Sequence, residues 1–241
     1  MKLILDVGNS RIKAGIFEGN TLQTHKIISY ENPLIAVKKL IEKNNIEQSM
    51  VSSVGRLPKT VYKYLNDNTR CIILTSALQT PFNNRYETPH TLGVDRIALA
   101  AAAVDQLKGD NVLVMDAGTC ITYDFINTKG DYLGGAIAPG LQTRYRALND
   151  YTAGLPLLDK ETPKDFTGNN THQSIHSGVV NGMAREIDGV IEQYLTRYQK
   201  LTVVLTGGDA DFLAKQLKSS IFVRPFFLLE GMLCILNLNS R

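Results

Sequence analysis

Two stretches of this chain, LILDVGNSRIKAGIF at 3–17 and VLVMDAGTCITYDFI at 112–126, carry the same pattern. In each, an apolar run ends in an aspartate. A small or apolar residue, a glycine and a polar residue then follow before a second apolar stretch begins. Two short apolar runs that flank a glycine turn predict a β-hairpin. The repetition predicts that the chain is a duplication, with one such hairpin at the start of each half.

The rest of each half predicts helices that alternate with strands. The predicted elements are strands at 21–28 and 50–54, helices at 33–44, 58–67 and 93–109, then a helix at 174–198, a strand from 201 and a last helix at 227–239. This alternation is typical of an α/β protein in which mixed sheets have flanking helices. A repeat distance of about 110 residues is too long for a solenoid and predicts two similar domains, 1–110 and 111–241.

Composition narrows the possible partners. The 26 basic and 23 acidic side chains are spread along all 241 residues without a block of like charge, so nucleic acid is not an expected partner. Three widely separated cysteines without a CxxC pair predict neither a disulfide framework nor a zinc site. No leader-like start and no apolar run of spanning length is present, so we expect a cytoplasmic protein without a membrane partner.

The hairpin tips have the chemistry of a phosphate site. Glycine lets backbone N–H groups approach phosphate oxygens, so two such tips can bind a polyphosphate from both sides. Asp6 and Asp116 cannot bind phosphate directly, and their presence implies cations such as magnesium or a monovalent ion. One tip alone is compatible with an ordinary turn. The pair, together with a third glycine turn at 206–209, favours nucleotide binding.

Structural alternatives stand beside the functional interpretation of single residues. Asp95 can be the N-cap of the alanine-rich helix, and Arg96 an exposed helix arginine. Tyr86 can be a loop aromatic residue that packs onto the core. Asp116 can cap its own turn through a backbone hydrogen bond. The four histidines share no metal-binding spacing, which favours a surface position for them.

The motifs, taken together, resemble those of type III pantothenate kinase, within the superfamily of sugar kinases, chaperone ATPases and actin. They cover nearly the whole chain: DVGNSRIK at 6–13, SSV at 52–54, Tyr86 followed by LGVDR at 92–96, DAGTCIT at 116–122, GGAIAPG at 134–140, Thr171 with SIHSG at 174–178, and TGGDA at 206–210. The resemblance implies two ribonuclease H-like domains related by duplication, with a nucleotide cleft between them.

The resemblance also implies a role for individual residues. The ATP-binding residues would be Asp6, Val7, Gly8, Asn9, Ser10, Arg11, Ile12, Lys13 and Thr119. The substrate-binding residues would be Tyr86, Gly93, Val94, Asp95, Arg96 and Thr171. Asp95 would also be the catalytic proton acceptor, and Asp116 would bind a monovalent cation.

The implied reaction is the ATP-dependent phosphorylation of pantothenate to 4'-phosphopantothenate, the first step of coenzyme A biosynthesis. The implied cofactors are K⁺ or NH₄⁺, and Mg²⁺ with ATP. The implied assembly is a homodimer with the substrate pocket at its interface, and we expect the helix at 174–198 to contribute to the contact. Two alternatives remain: a kinase of another small hydroxyl acceptor such as a sugar, and a non-catalytic regulatory relative. Arg144 and Arg146 make one stretch more basic than the resemblance predicts, and the sequence leaves two roles open for them, lining the dimer surface or contacting the nucleotide.

Overall fold

The computed structural model describes residues 1–9, 11–53 and 56–240. The chain divides into two compact units. The first contains Met1–Lys108, the short segment Gly130–Tyr132 and the C-terminal segment from Phe226, and the second contains the remaining residues. Across the described part of the chain, no helix combines the length and the apolar character that a membrane span requires.

Strands and helices alternate along the chain as the sequence predicts. The strands are β1 Lys2–Val7, β2 Ile12–Glu18, β3 Thr21–Ile28, β4 Gln48–Ser53, β5 Arg70–Ile73, β6 Asn83–Asn84, β7 Asn111–Ala117, β8 Cys120–Ile126, β9 Asp131–Pro139, β10 Leu201–Thr206 and β11 Phe222–Val223. The helices are α1 Pro33–Asn44, α2 Lys59–Asn68, α3 Val94–Gln106, α4 Leu141–Asp150, α5 Thr171–His176, α6 Gly182–Arg197, α7 Ala210–Ala214 and α8 Phe227–Asn239. Both units are α/β, which confirms the predicted fold class.

The first unit is built on a five-stranded mixed sheet in the order β3-β2-β1-β4-β5. The strands β1, β2 and β3 form an antiparallel meander, and β4 and β5 run parallel to β1. Because side chains alternate along a strand, β1 presents Leu3, Leu5 and Val7 to one face of the sheet. These three side chains pack in a core with residues of α1 and α2. The opposite face of β1 and β4 is covered by α8, and α3 also packs against β4.

The helix α8 belongs to the first unit, although the predicted division at residue 110 assigns it to the second domain. It packs along α3, whose buried face is mostly alanine and therefore allows a close approach. The apolar side chains of α8 are buried almost all round the helix, as expected for a helix enclosed by a sheet and a second helix. The division into domains 1–110 and 111–241 is predicted from the repeated hairpin motif. As the boundary of an ancestral duplication, it stays a prediction.

The second unit contains the strands β11-β10-β7-β8-β9 in that spatial order. The strands β7 and β8 form the second predicted hairpin, and β10 and β11 run parallel to β7. The strand β9 begins in the first unit, where its first two residues pair with β6. Both predicted hairpins are therefore present, each at the centre of its own sheet.

The predicted helix at 174–198 begins three residues earlier, where the Asn170 side chain accepts a hydrogen bond from the Gln173 N–H at 3.0 Å. A π-helical turn, Ser177–Asn181, separates α5 from α6. The apolar stripe expected to contribute to a dimer contact packs into the core of its own unit, including Ile175, Val179, Met183, Ile187 and Ile191. This stripe is therefore not available to a partner.

Candidate active site

The first hairpin places Asp6 opposite Lys13, since the two residues are partners across β1 and β2. Val7 and Ile12 have fully buried side chains, so only their backbone atoms could contact a nucleotide. The turn closes through a 3.2 Å hydrogen bond from the Gly8 N–H to the Arg11 carbonyl. The backbone of the tip, together with the exposed Asn9 and Arg11, is therefore the accessible part of this predicted site.

A tyrosine from outside the hairpin contacts its tip. The Tyr30 hydroxyl donates a hydrogen bond to the Gly8 carbonyl, which ties the tip to the chain just beyond β3. Nothing in the sequence spacing indicates this contact. The predicted ATP-binding role of Ser10 falls outside the described residues.

Asp6 has an unusual electrostatic environment. Burial raises the pKa of its carboxyl from 3.8 to about 6, the Lys13 charge lowers it and the Asp95 charge raises it. Desolvation is the largest of these effects because only 8% of the residue is exposed. Asp6 and Asp95 therefore lie close enough to interact, as expected for two carboxylates of one active site.

Asp95 is not the N-cap of its helix, which corrects the structural alternative considered above. The N-cap of α3 is Gly93, and Asp95 lies within the first turn. The Asp95 carboxylate accepts a 2.9 Å hydrogen bond from the N–H of Arg96. A Cβ atom on residue 93 would lie 2.5 Å from the carboxylate oxygen, so glycine is needed there for Asp95 to hold this position. Its charge is stabilised by the helix dipole.

Arg96 is buried, so the interpretation as an exposed helix arginine is wrong. Its guanidinium lies over two aromatic rings, 5.7 Å from the Tyr86 centroid and 5.9 Å from the Tyr132 centroid. The two rings are 6.2 Å apart. Cation–π contacts of this kind fix both the arginine and Tyr86. The structure thus brings the predicted site residues Tyr86, Asp95 and Arg96 together at the first turn of α3. Tyr132 also belongs to this cluster, although the sequence did not indicate it.

The second hairpin places Asp116 one residue before the end of its strand, the position that Asp6 has in the first hairpin. Its tip closes through a 2.9 Å hydrogen bond from the Gly118 N–H to the Cys120 carbonyl. The Thr119 side chain is exposed, whereas its carbonyl accepts hydrogen bonds from the Gly140 N–H at 3.0 Å and from the Thr143 hydroxyl at 2.6 Å. The turn is therefore held by its backbone, and the threonine side chain is left accessible.

A glycine turn after β10 packs directly on Asp116. Gly207 has a φ of +101°, and a Cβ atom there would lie 2.5 Å from the Asp116 carboxylate oxygen. The N–H of Asp209 also donates a 3.0 Å hydrogen bond to the Ala117 carbonyl. The third glycine turn of the sequence therefore supports the second hairpin, and only glycine fits against the carboxylate.

The groups around Asp116 with cation-binding chemistry are its own carboxylate and the backbone carbonyls of the neighbouring turns. A carboxylate and the carbonyls of tight turns are hard oxygen ligands. Within the described ranges, no group of three or more histidine, cysteine, aspartate and glutamate residues could hold a metal ion by itself. A K⁺ or NH₄⁺ ion would thus depend on Asp116 and backbone carbonyls, and Mg²⁺ would depend on the phosphates with which it binds.

Arg144 is a structural residue of the second unit. Its guanidinium donates to the Glu186 carboxylate at 2.7 Å and to the Pro139 carbonyl at 2.9 Å. Glu186 also accepts a 3.1 Å hydrogen bond from the Tyr123 hydroxyl, whose pKa is raised by burial and by that carboxylate. The network ties α4 to α6 and β8. Arg146, by contrast, is exposed.

His176 is buried, so a surface position is wrong for this histidine. Its Nδ1 lies 2.9 Å from the Tyr145 hydroxyl, and its Nε2 lies 3.7 Å from the Glu161 carboxylate. Burial raises the pKa of Tyr145 to about 12. The predicted substrate residue Thr171 is exposed at the start of α5, the helix that ends in this histidine.

The fold is shared with solved structures of other proteins, sugar kinases among them. A ROK hexokinase from Thermus thermophilus matches with a TM-score of 0.52 at 14% identity and covers 99% of both chains. An activator of 2-hydroxyisocaproyl-CoA dehydratase from Clostridium difficile, solved with bound ADPNP, matches with a TM-score of 0.58 at 14% identity, over 99% of this chain and 96% of its own. These likenesses concern the fold.

The sequence itself identifies the family. The profile of type III pantothenate kinase matches residues 2–193. A type III pantothenate kinase from Flavobacterium johnsoniae is 46% identical over 96% of each chain. This chain belongs to the type III pantothenate kinase family, which confirms the resemblance seen in the motifs and the predicted enzyme class, a kinase.

We predict that Asp6 makes the folded protein less stable as the pH rises. Its folded pKa of about 6 lies above 3.8, so the folded chain holds a proton that the unfolded chain has lost between these values. The penalty for the buried charge is therefore absent below pH 3.8 and complete above pH 6. Asp6→Asn should have a free energy of unfolding roughly 1–3 kcal/mol above the parent at pH 8 and close to it at pH 4.

Urea unfolding of both proteins without nucleotide measures this difference. Groups that do not interact with Asp6 titrate alike in the two proteins, and their contributions cancel. The same difference at both pH values would contradict the prediction.

Proposed function

We propose that this protein transfers the γ-phosphate of ATP to the primary hydroxyl of pantothenate, giving 4'-phosphopantothenate, the first step of coenzyme A biosynthesis. Membership of the type III pantothenate kinase family supports the substrate. The observation that carries the chemistry is the position of Asp95 in the first turn of α3, near enough to Asp6 to raise its pKa. A carboxylate beside a glycine-tipped hairpin is suited to phosphoryl transfer.

The ATP phosphates are proposed to bind the first hairpin, 6–13, through backbone N–H groups of the tip and the Lys13 ammonium. Lys13 already interacts with Asp6, so its charge is directed to the place where the phosphates add more negative charge. Thr119 is proposed to bind the nucleotide through its exposed hydroxyl. Magnesium, bound with ATP, would neutralise part of the phosphate charge.

Pantothenate is proposed to bind on the side of Tyr86, the turn 93–96 and Thr171. The Asp95 carboxylate would accept a hydrogen bond from the primary hydroxyl and hold its oxygen in line with the γ-phosphorus. As the new P–O bond forms and the bond to ADP breaks, the hydroxyl proton passes to Asp95. Because the transition state of phosphoryl transfer is loose, the proton passes late, and the main contribution of Asp95 is to orient the hydroxyl.

We predict that the protein consumes ATP only when pantothenate is present. A coupled assay should show turnover with pantothenate and none with glucose or N-acetylglucosamine. Equal turnover with a sugar would favour the sugar kinase alternative.

Asp95→Asn should lower kcat by roughly 10² to 10⁴, the range for a positioned proton acceptor, while ATP affinity stays near that of the parent. Activity of Asp95→Asn within about threefold of the parent would reject the catalytic role.

We predict that potassium raises activity through Asp116. At constant ionic strength, replacing sodium by potassium should increase the rate, because the larger ion tolerates the loose oxygen coordination of this turn. Asp116→Ala should remove the difference between the two salts and raise the KM for ATP. Equal rates in both salts for the parent, with an unchanged KM in the variant, would show that Asp116 only caps its turn.

We also predict a homodimer whose contact uses the outward face of the helical segment 171–197. The inward stripe is buried in its own unit, but Gly178 and Gly182 face open space and permit close approach of a partner helix. Light scattering at micromolar concentration should give twice the monomer mass. Gly182→Glu should give a folded monomer, whereas the exposed first-unit control Lys43→Glu should stay dimeric. A monomeric parent would reject the assembly.

A further inference from the structure

Ser52 is a fully buried polar residue to which no function has so far been given. It is the next to last residue of β4 and belongs to the SSV motif of the sequence. Its side chain has no exposed surface, and its hydroxyl has no hydrogen-bond partner among the described residues. A buried hydroxyl without a partner lowers stability, so its presence requires a reason.

Ser52 is the neighbour of Asp6 in the sheet. The two residues are register partners in the parallel pair β1 and β4, which places their Cα atoms about 4.8 Å apart and their side chains on the same face. Both lie at the carboxyl ends of their strands, the edge at which α/β proteins bind ligands. Asp6 retains 8% exposure, whereas Ser52 has none, so only Asp6 can reach a ligand.

The surroundings of the Ser52 hydroxyl include apolar helices and the charged groups that act on Asp6. The face it shares with Asp6 is covered by the apolar helix α8 and by α3. The charged groups that act on Asp6 are Lys13 from β2 and Asp95 from α3, and Tyr30 is also coupled to it. Because Ser52 and Asp6 are neighbours on this face, a side-chain rotation of either residue would turn the hydroxyl towards the Asp6 carboxylate.

We propose that Ser52 is a positioning residue, whose hydroxyl donates a hydrogen bond to the Asp6 carboxylate when Mg²⁺-ATP is bound. This inference rests on the proposed binding of ATP by the first hairpin. A donor to the ionised carboxylate keeps it charged and fixes its direction beside the phosphates. The hydroxyl thus gains its partner in the complex, and the free protein carries the cost of leaving it without one.

The test compares Ser52→Ala and Ser52→Thr with the parent. In Ser52→Ala the Kd for Mg²⁺-ATP should rise by about tenfold to a hundredfold, the loss expected for one hydrogen bond to a charged group. The KM for pantothenate should not change. The free energy of unfolding without nucleotide should equal or exceed that of the parent, because the variant removes an unsatisfied buried group. Ser52→Thr keeps the hydroxyl and should restore the Kd.

Ser49→Ala is the matched control on the same strand. Ser49 is as buried as Ser52, but its hydroxyl bonds to the Thr69 hydroxyl at 2.6 Å. This variant should lose stability and keep the parent Kd. The proposal is overturned if Ser52→Ala binds nucleotide within about twofold of the parent, or if Ser52→Thr loses as much affinity as Ser52→Ala.

Lys13→Ala separates this inference from the proposed ATP site. If Lys13→Ala loses nucleotide affinity and Ser52→Ala does not, the role of Ser52 is rejected and the ATP site stands. If Lys13→Ala also keeps the parent affinity, the proposed function of the first hairpin is rejected.

Discussion

The first unit holds the Asp6 carboxylate at the end of a buried strand, although burial of this charge lowers the stability of the fold. Removal from water raises the free energy of the charged form, which is why the pKa of this group rises to about 6. The charge is tolerated because Lys13 lies across the hairpin and because the glycine tip leaves one side open. The helix α3 then brings a second carboxylate, Asp95, towards the same place. Such like charges need cations, and this need links the site to magnesium and ATP.

The second hairpin also carries an aspartate near the end of a strand, but different residues lie beside it. Asp116 has the strand position of Asp6, but its register partner across the hairpin is Thr122 rather than a lysine. Support comes from backbone instead: Gly207 packs on the carboxylate, and the Thr119 carbonyl is held by Gly140 and Thr143. The two hairpins thus share an acid and a glycine but differ in their surroundings. The difference agrees with the different proposed roles, phosphate binding in one half and monovalent cation binding in the other.

Polar networks inside each unit fix the elements that carry the predicted site residues. The contact of Arg144 with Glu186 holds α4 against α6, beside the turn that supports Thr119. The stack of Arg96 on Tyr86 and Tyr132 orients the first turn of α3. These contacts set the geometry of the residues next to them, and the Arg144 and Glu186 side chains remain partly exposed to water. These charged residues position the predicted site residues and do not add a reactive group.

The sequence by itself determined the two hairpins, the α/β class, most of the helix bounds and the family, because local apolar periodicity and motif spacing are properties of neighbouring residues. Only the tertiary structure decided that Gly93 rather than Asp95 caps α3, and that α8 belongs to the first unit. It also decided that Ser52 lies beside Asp6, although 46 positions separate the two along the chain. The physical reason is that a periodic pattern shows which face of an element is apolar. The partner that covers this face is chosen by packing among distant segments.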